Sequence, residues 1–462
     1  MSTTLPGAAP ALLDALAHGA GELITDPDLL ASYRHDQAAP GLLEAGTPAA
    51  VVRPTTTSEV QAAVRAAAAH GVPVVARGAG SGLSGGANAI DGCLVVATER
   101  MTAIVDLDAD GLTAVVQPGL VNAALGTAAA EEGLWYAPDP ASYEFSTLGG
   151  NIATNAGGLC CVKYGVTRDS LLGLEAVLAD GRAVRLGHRT RKGVVGYDLA
   201  GLLCGSEGTL GIVTEATLRL QVPPPPAHTL AASFASLTAA GEAVARIVRA
   251  TRPSLLELMD ATTIAAVEAL EPMDLDPDAA AMLFARSDAG GAAGAAEIAA
   301  IEAICLEAGA DLAVTSDDPA EGRMLLAARR LAYTALESTG STLLDDVAVP
   351  LPRVPALLEA VARIAREHGV VIGTFGHAGD GNMHPTVVYD HRDADEVQRA
   401  RAAFDAIVAA TLALGGTISG EHGIGALKVG HLDDELGDAR SLSHAIKHAL
   451  DPAGIMNPGK AI

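Results

Sequence analysis

Four consecutive prolines, Pro223 to Pro226 in "QVPPPPAHT", constrain this chain more than any other feature. Proline fixes φ and carries no amide hydrogen, so the run must be extended and cannot lie inside a helix or a central strand. It cuts the chain into two parts with different local patterns. Ahead of it, short β-rich runs alternate with glycine loops: "VPVVARGAGSG", "GCLVVATER", "LTAVVQPG", "LEAVLADGRAVRL" and "LGIVTEATLRL". Behind it, long Ala/Leu/Arg segments of helical period alternate with strands. In "PALLEAVARIAREHG", Leu357, Val361 and Ile364 share one face, which predicts a helix, and "VVIGTFGHA" reads as the strand that follows. A β-rich unit to residue 222 and an α+β unit from 223 onward suit a chain of 462 residues, too long for one ordinary core.

Composition removes several classes of function. With 49% hydrophobic and 18% charged residues the chain is globular, and at 3% aromatic content, with Trp135 its single tryptophan, it has little with which to stack nucleic-acid bases. Thirty basic against 55 acidic residues leave a net charge of −25, which repels phosphate backbones and anionic membranes. Nucleic acid is therefore not an expected partner, and an anionic substrate requires a locally positive pocket. The five cysteines, Cys93, Cys160, Cys161, Cys204 and Cys305, show neither zinc nor iron–sulfur spacing, which suits a reducing, cytoplasmic compartment. "MSTTLPGAAPALLDALAHGAGELI" lacks a basic leader and is interrupted by Asp14, so it does not read as a signal peptide. No run is long enough to span a bilayer, although docking on a membrane partner stays compatible.

Two glycine motifs lose their usual meaning in context. "GSGLSG", Gly80 to Gly85, satisfies G-x-G-x-x-G, and "GLSGG" satisfies the nucleophile elbow with Ser84. Both mechanisms need a helix to begin inside the motif. Here the glycines run on into "GANAIDG" and a strand, leaving no room for one. What remains is a series of backbone amides with almost no side-chain cover, able to wrap an anionic group. Glycine-rich stretches at 138–169, with the polar tips Ser146, Thr147, Asn151, Thr154 and Asn155, and at 204–214 add two more such loops. Three cradles suggest a large ligand with a pyrophosphate and a planar ring, and any dinucleotide fits that description.

In "FGHAGDGNMHP" two histidines flank an Asp-Gly-Asn turn signal. A four-residue loop from Gly379 to Asn382 pairs Ala378 with Met383 and sets His377 opposite His384, with Cβ atoms about 5 Å apart. Two such imidazoles suit a metal ion, although a pair of surface histidines is the plainer alternative. "GGTISGEHGIG" offers Glu421 as a third ligand and His422 as a general base, and two histidines with one carboxylate leave coordination positions open. The plainer alternative there is a polar glycine turn.

Seven segments in order, "RGAGSGLSGG", "TLGGNIATNAGG", "KYGVTRD", "GYDLAGLLCGSEGTLGIVTEATLRL", "GHAGDGNMHP", "SGEHGIG" and "DPAGIMNPGK", resemble the FAD-dependent 2-hydroxy acid dehydrogenases. That family includes D-lactate dehydrogenase, D-2-hydroxyglutarate dehydrogenase and the flavin subunit of glycolate oxidase, in the vanillyl-alcohol oxidase / p-cresol methylhydroxylase superfamily. The resemblance implies an α+β chain: a two-part FAD-binding domain of the p-cresol methylhydroxylase type over 1–222, a substrate or cap domain with a mixed or antiparallel sheet over 223–415, and a segment, 416–462, that returns to the flavin. It implies FAD contacts at Arg77, Gly78, Ala79, Gly80, Ser81 and Gly82 around the pyrophosphate. Pro138, Ser146, Gly149, Gly150, Asn151, Asn155, Gly157, Gly158, Glu207, Gly208 and Ile212 line the rest of that site, and Asn457 and Lys460 belong to the closing "NPGK". The first loop has no histidine, so the flavin is expected to be non-covalent.

The resemblance also implies metal ligands at His377, His384 and Glu421, holding zinc, manganese or iron, a base at His422, and Arg329 on the substrate carboxylate with Arg330 as its rival neighbour. The hydroxyglutarate enzymes carry a lysine where "TLLDDVAVP" has Leu344, so a D-lactate-like monocarboxylate or a larger apolar 2-hydroxy acid fits better than a dicarboxylate. The expected reaction is oxidation of a D-2-hydroxy acid to the 2-oxo acid. Glycolate and D-2-hydroxyglutarate are the alternatives within the family, and a metal-dependent hydrolase is the alternative outside it. Electrons are expected to leave to a separate quinone, cytochrome or electron-transfer protein, and a homodimer is compatible with the chain.

Overall fold

The structure, a computed structural model, describes residues 8–462; the part of the leader reading that falls on residues 1–7 lies outside them. Three sheets organise the chain. The first contains β1 (Glu22–Ile24), β2 (Ala50–Arg53), β3 (Val74–Arg77) and β4 (Leu94–Ala97) in the order β1-β2-β4-β3. β3 and β4 run parallel. Residues 78–93 connect them without a helix, as the rejection of the Rossmann reading requires. The helix Thr57–His70 covers this sheet through Val60, Ala63, Val64 and Ala67. It begins at a capping box, in which Thr56 and Glu59 satisfy each other's exposed amides, and stops at Gly71 in the left-handed region.

The second sheet contains β5 (Ile104–Asp108), β6 (Thr113–Val116), β7 (Leu171–Val177), β8 (Ala183–Gly187) and β9 (Ile212–Arg219), antiparallel in the order β5-β6-β9-β7-β8. Alternate residues of β9 are buried, the period-2 pattern of a strand with one covered face. Leu125 and Ala129, from the helix Asn122–Glu131, and Leu148 and Ile152, from Leu148–Thr154, fill that core.

Beyond the prolines, eight strands form one antiparallel sheet: β10 (His228–Phe234), β11 (Leu255–Asp260), β12 (Ala281–Ser287), β13 (Ala310–Ser316), β14 (Ser341–Leu344), β15 (Val347–Ala348), β16 (Val371–His377) and β17 (Asn382–Tyr389). Their order is β13-β10-β12-β11-β16-β17-β14, with β15 also on β17. One face packs under four long helices, including the expected one at Val354–His368, through Leu256, Leu258, Ile372, Met383 and Val387. The other face carries Leu255, Met259, Phe375 and Leu344 beneath the helices Ala261–Leu270 and Ala327–Glu337. Side chains alternate along a strand, so Glu257, His377 and His384 belong to this second face.

The last segment ties the parts together. Thr417 bridges Ala348, and Met456 bridges Val74 at the edge of the first sheet. Lys428 is buried, and its ammonium donates to the carbonyl oxygens of Asp346 and Ile418 and pairs with Asp345 at 2.8 Å. A buried cation needs such partners to offset its lost hydration.

Candidate active site

The β16–β17 hairpin corrects the expected register. Its loop is Ala378 to Gly381, so His377 lies opposite Asn382, and His384 lies opposite Phe375. Gly381 has φ +83, a conformation that glycine adopts without strain, and it takes the last loop position. Asn382 is fixed as the first strand residue because its amide donates to Asp346 Oδ1 at 2.7 Å and to the Val347 carbonyl at 3.1 Å. The displacement keeps both histidines on one face, as diagonal rather than direct neighbours. Their rings meet edge to face at 5.1 Å between centroids.

Glu421 completes the group. Its Oε1 is 3.0 Å from His377 Nε2 and 3.3 Å from His384 Nε2. One ligand atom from each of the three residues lies within 4.8 Å of the others. Asp346 holds the loop that delivers it: Oδ2 accepts from the amides of Glu421 at 2.8 Å and His422 at 2.7 Å and from Ser419 Oγ at 3.1 Å. Burial would raise the Asp346 carboxyl, but electrostatic attraction to the neighbouring His422, Lys428 and His384 outweighs it and holds the group well below the carboxylate range. Burial likewise opposes ionisation of Glu421, and the charge and hydrogen bond of His377 overcome it, so this carboxyl also sits well below its usual value. Burial lowers His384 to about 4, which leaves its imidazole neutral at pH 7. His377 feels the same burial but is raised well above its ordinary value by Glu257 and Glu421.

An ionised carboxylate and two convergent imidazole nitrogens form a donor set that fits a divalent metal, whose arrival would displace a proton from His377. His422 stacks on His384 with centroids 5.1 Å apart, and its Nε2 is 3.7 Å from Glu421 Oε1. Its Nδ1 is buried without a hydrogen-bond partner among the described residues.

Arg329 projects from the helix Ala327–Glu337 onto the same face. Its guanidinium is engaged: Nε and Nη2 lie 2.8 and 2.7 Å from Glu257 Oε2 and the group rests 4.8 Å from the Phe375 ring centre, so only the remaining edge is available to a ligand. Arg330, one residue on, is exposed at the cavity mouth.

His377, His384, Glu421, His422 and Arg329 line a cavity of about 1330 Å³. That is larger than the ~300–1,000 Å³ of common ligand pockets and leaves room for a dinucleotide with a substrate. Arg77, Gly78, Ala79, Gly80, Ser81 and Gly82 line the same cavity. Gly149, Gly150, Asn151, Glu207, Gly208 and Ile212 also face it. Among the described residues nothing accepts from the amides of Gly78 to Gly82, and Arg77 Nη1 and Thr147 Oγ1 are buried without partners. Unused donors of this kind on a cavity wall fit a bound pyrophosphate.

The other expected cofactor residues stand behind that wall. Asn122 donates to the Pro138 carbonyl at 3.2 Å, Asn151 donates to Ser146 Oγ at 3.2 Å, and Asn155 Oδ1 accepts the Arg168 amide at 2.9 Å. Gly157 backs Glu421, since a Cβ there would come 2.5 Å from its Oε2, and Gly158 passes Asp139 just as closely. Asn457 Nδ2 donates to the carbonyls of Gly86 and Glu207, and Lys460 to those of Gly86 and Asn88. The Glu207 carboxylate is taken by the amides of Ile424 at 2.7 Å and Gly425 at 2.8 Å, which clamp the returning segment; burial raises it to about 7 despite these bonds. Ser84 donates to the Gly423 carbonyl at 2.9 Å, a structural bond rather than a nucleophile's position.

Comparison with known proteins places this arrangement. Residues 48–187 match the FAD binding domain family, and residues 223–461 match the family described as FAD linked oxidases, C-terminal domain. This chain belongs to the FAD-linked oxidases. The glycolate oxidase subunit GlcD of Bacillus subtilis (strain 168) is 41% identical over 416 residues, covering 89% of this chain and 88% of that relative. D-lactate dehydrogenase of Archaeoglobus fulgidus is 36% identical over 436 residues, covering 93% and 95%. The crystal structure of p-cresol methylhydroxylase with substrate bound superposes with a TM-score of 0.80 at 18% identity, covering 98% of this chain and 96% of that one, which identifies the shared fold. The chain is thus an α+β FAD-linked oxidoreductase with a p-cresol-methylhydroxylase-type flavin fold, and the hydrolase alternative falls. No helix among the described residues is long and apolar enough to cross a membrane.

Sequence reasoning missed two residues of this oxidoreductase site, Glu257 and Asp346. Glu257 had a readable signal, a carboxylate on an interior position of the apolar run "LLELMD". Asp346 had a weaker one, the paired acids of "LLDDVAVP", with no indication of which donors they meet.

Proposed function

We propose that this FAD-linked oxidoreductase oxidises a D-2-hydroxy acid to the 2-oxo acid, with a D-lactate-like monocarboxylate favoured, a divalent metal assisting and the flavin bound non-covalently. The observation that carries the reading is the convergence of His377, His384, Glu421, His422 and Arg329 on one cavity that the glycine cradle also lines. The relatives named as a glycolate oxidase subunit and a D-lactate dehydrogenase support the same reaction class. When bound, FAD would accept the hydride leaving the substrate, and zinc, manganese or iron held by His377, His384 and Glu421 would polarise the hydroxyl as a Lewis acid.

The side chains do the rest. The free edge of Arg329 binds the substrate carboxylate, supplying the local positive charge that a chain of net charge −25 otherwise lacks. His422, on the cavity wall beside Glu421, takes the hydroxyl proton. Leu344 faces the cavity with Phe375, Leu83 and Leu159, an apolar wall that offers nothing to a second carboxylate and favours an apolar side chain. Electrons then pass to a separate acceptor, a quinone, a cytochrome or an electron-transfer protein.

His422→Ala tests the assignment of the base. The variant should retain FAD while anaerobic flavin reduction by the D-acid slows by about 10²–10⁴-fold, the usual contribution of a general base. Near-normal reduction would remove His422 from the mechanism.

A further inference from the structure

Glu257 is fully buried and absent from the cavity wall, yet it touches both halves of the substrate site. The register that pairs Leu258 with Gly376 and Met259 with Phe375 carries Glu257 across from His377. Its Oε1 is 2.8 Å from His377 Nδ1, while Oε2 takes Nε and Nη2 of Arg329. The other ring nitrogen of His377 faces Glu421 at 3.0 Å. A continuous line of polar contacts therefore runs Arg329–Glu257–His377–Glu421. We propose that Glu257 is a positioning residue that sets the His377 tautomer and, with the same carboxylate, fixes the reach of Arg329, so that metal ligand and carboxylate anchor are held in one geometry.

The chemistry of a carboxylate makes this specific. An ionised Glu only accepts hydrogen bonds, so it requires N–H at His377 Nδ1 and leaves the lone pair of Nε2 directed at the site. The same constraint applies to Arg329, whose Nε and Nη2 must both point inward and leave the far edge for a ligand. Merely neutralising a buried arginine needs one partner oxygen; the second oxygen of Glu257 is spent on the imidazole. Glutamine has the same shape but one donor and one acceptor. Its carbonyl would stay on the charged Arg329, and its amide N–H would then face His377 Nδ1 and move the ring proton to Nε2, against the metal. The inference rests on the proposed metal reading, and its test separates the two.

The FAD-loaded full chain is titrated with Zn²⁺ or Mn²⁺ against a competing chelator, as wild type, Glu257→Gln and His377→Ala. Glu257→Gln should keep its flavin content and bind metal roughly 10–100-fold more weakly than wild type, the effect of removing a carboxylate behind a histidine ligand. Wild-type affinity in Glu257→Gln would overturn the role of Glu257 while leaving the metal site standing. No metal binding by wild type would overturn both. If Glu257→Gln does not fold, nitrogen-15 histidine spectra of the Zn²⁺-loaded wild-type chain decide: an Nδ1-protonated, Nε2-ligating His377 supports the assignment, and the opposite tautomer refutes it.

Discussion

Asp346→Asn isolates the contact that holds the Glu421–His422 loop against the large sheet. One oxygen of Asp346 accepts three donors, the amides of Glu421 and His422 and the hydroxyl of Ser419, at 2.8, 2.7 and 3.1 Å. Hydrogen bonds to a charged group contribute about 1.5–3 kcal/mol, and neutral ones about 0.5–1.5. Asparagine can offer its carbonyl to the same three donors, so at this oxygen the substitution removes the charge and not the bonds, while its amide, in place of Oδ1, gives up the bond from Asn382. The expected loss is about 1 kcal/mol for each of the three, or about 3 kcal/mol in the closure of the loop. With 1.4 kcal/mol per factor of ten, the loop opens roughly 100-fold more often. Amide hydrogen exchange of a peptide spanning 416–427, followed by mass spectrometry, reads that opening directly and needs no substrate. Exchange should accelerate by about that factor in this peptide, while peptides from β6 and β9 stay unchanged. Exchange within about threefold of wild type would refute the idea that Asp346 is what positions Glu421 and His422.

Two further outcomes follow from the same geometry. Gly157→Ala places a methyl group 2.5 Å from Glu421 Oε2, so metal affinity should fall at least about tenfold with flavin content retained, and unchanged affinity in a chelator competition would show that Glu421 is free to move. Glu207 is raised from 4.5 to about 7 by burial, so the folded chain keeps a proton that the unfolded chain releases near pH 4.5. The resulting stabilisation is present below that pH and is lost as pH rises through 7, about 3 kcal/mol in all. The Tm of wild type relative to Glu207→Gln should therefore drop between pH 5 and pH 8, and a constant difference would contradict it.

What could be read in advance follows the kind of constraint each residue obeys. The glycine cradles were legible because a run such as Gly78 to Gly86 has few uses other than close backbone approach, and because β4 follows with no room for a helix. The histidine pair was legible as residue types on one face, but not in register. Placement of Gly381 at the end of the loop depends on its φ of +83 and on the Asp346 carboxylate that anchors Asn382, a contact between residues 36 apart in sequence. Arg329 was separated from Arg330 only by helix phase, which turns the first onto Glu257 and the second to solvent. Glu257 itself stayed hidden because its partners come from a helix and a strand far along the chain, and neither motif names it. Buried polar residues of this sort acquire meaning from partners that only the fold supplies.

The central claim is that flavin, metal ligands and base act on one 2-hydroxy acid in one cavity. An anaerobic visible spectrum of the FAD-loaded chain tests it most directly, titrated with D-lactate, L-lactate, glycolate and D-2-hydroxyglutarate before and after a chelator. The account predicts bleaching of the flavin by a D-monocarboxylate, loss of bleaching on chelation and its return with added metal. Full bleaching after the metal has been stripped, or a flavin that none of the four acids reduces, would contradict it.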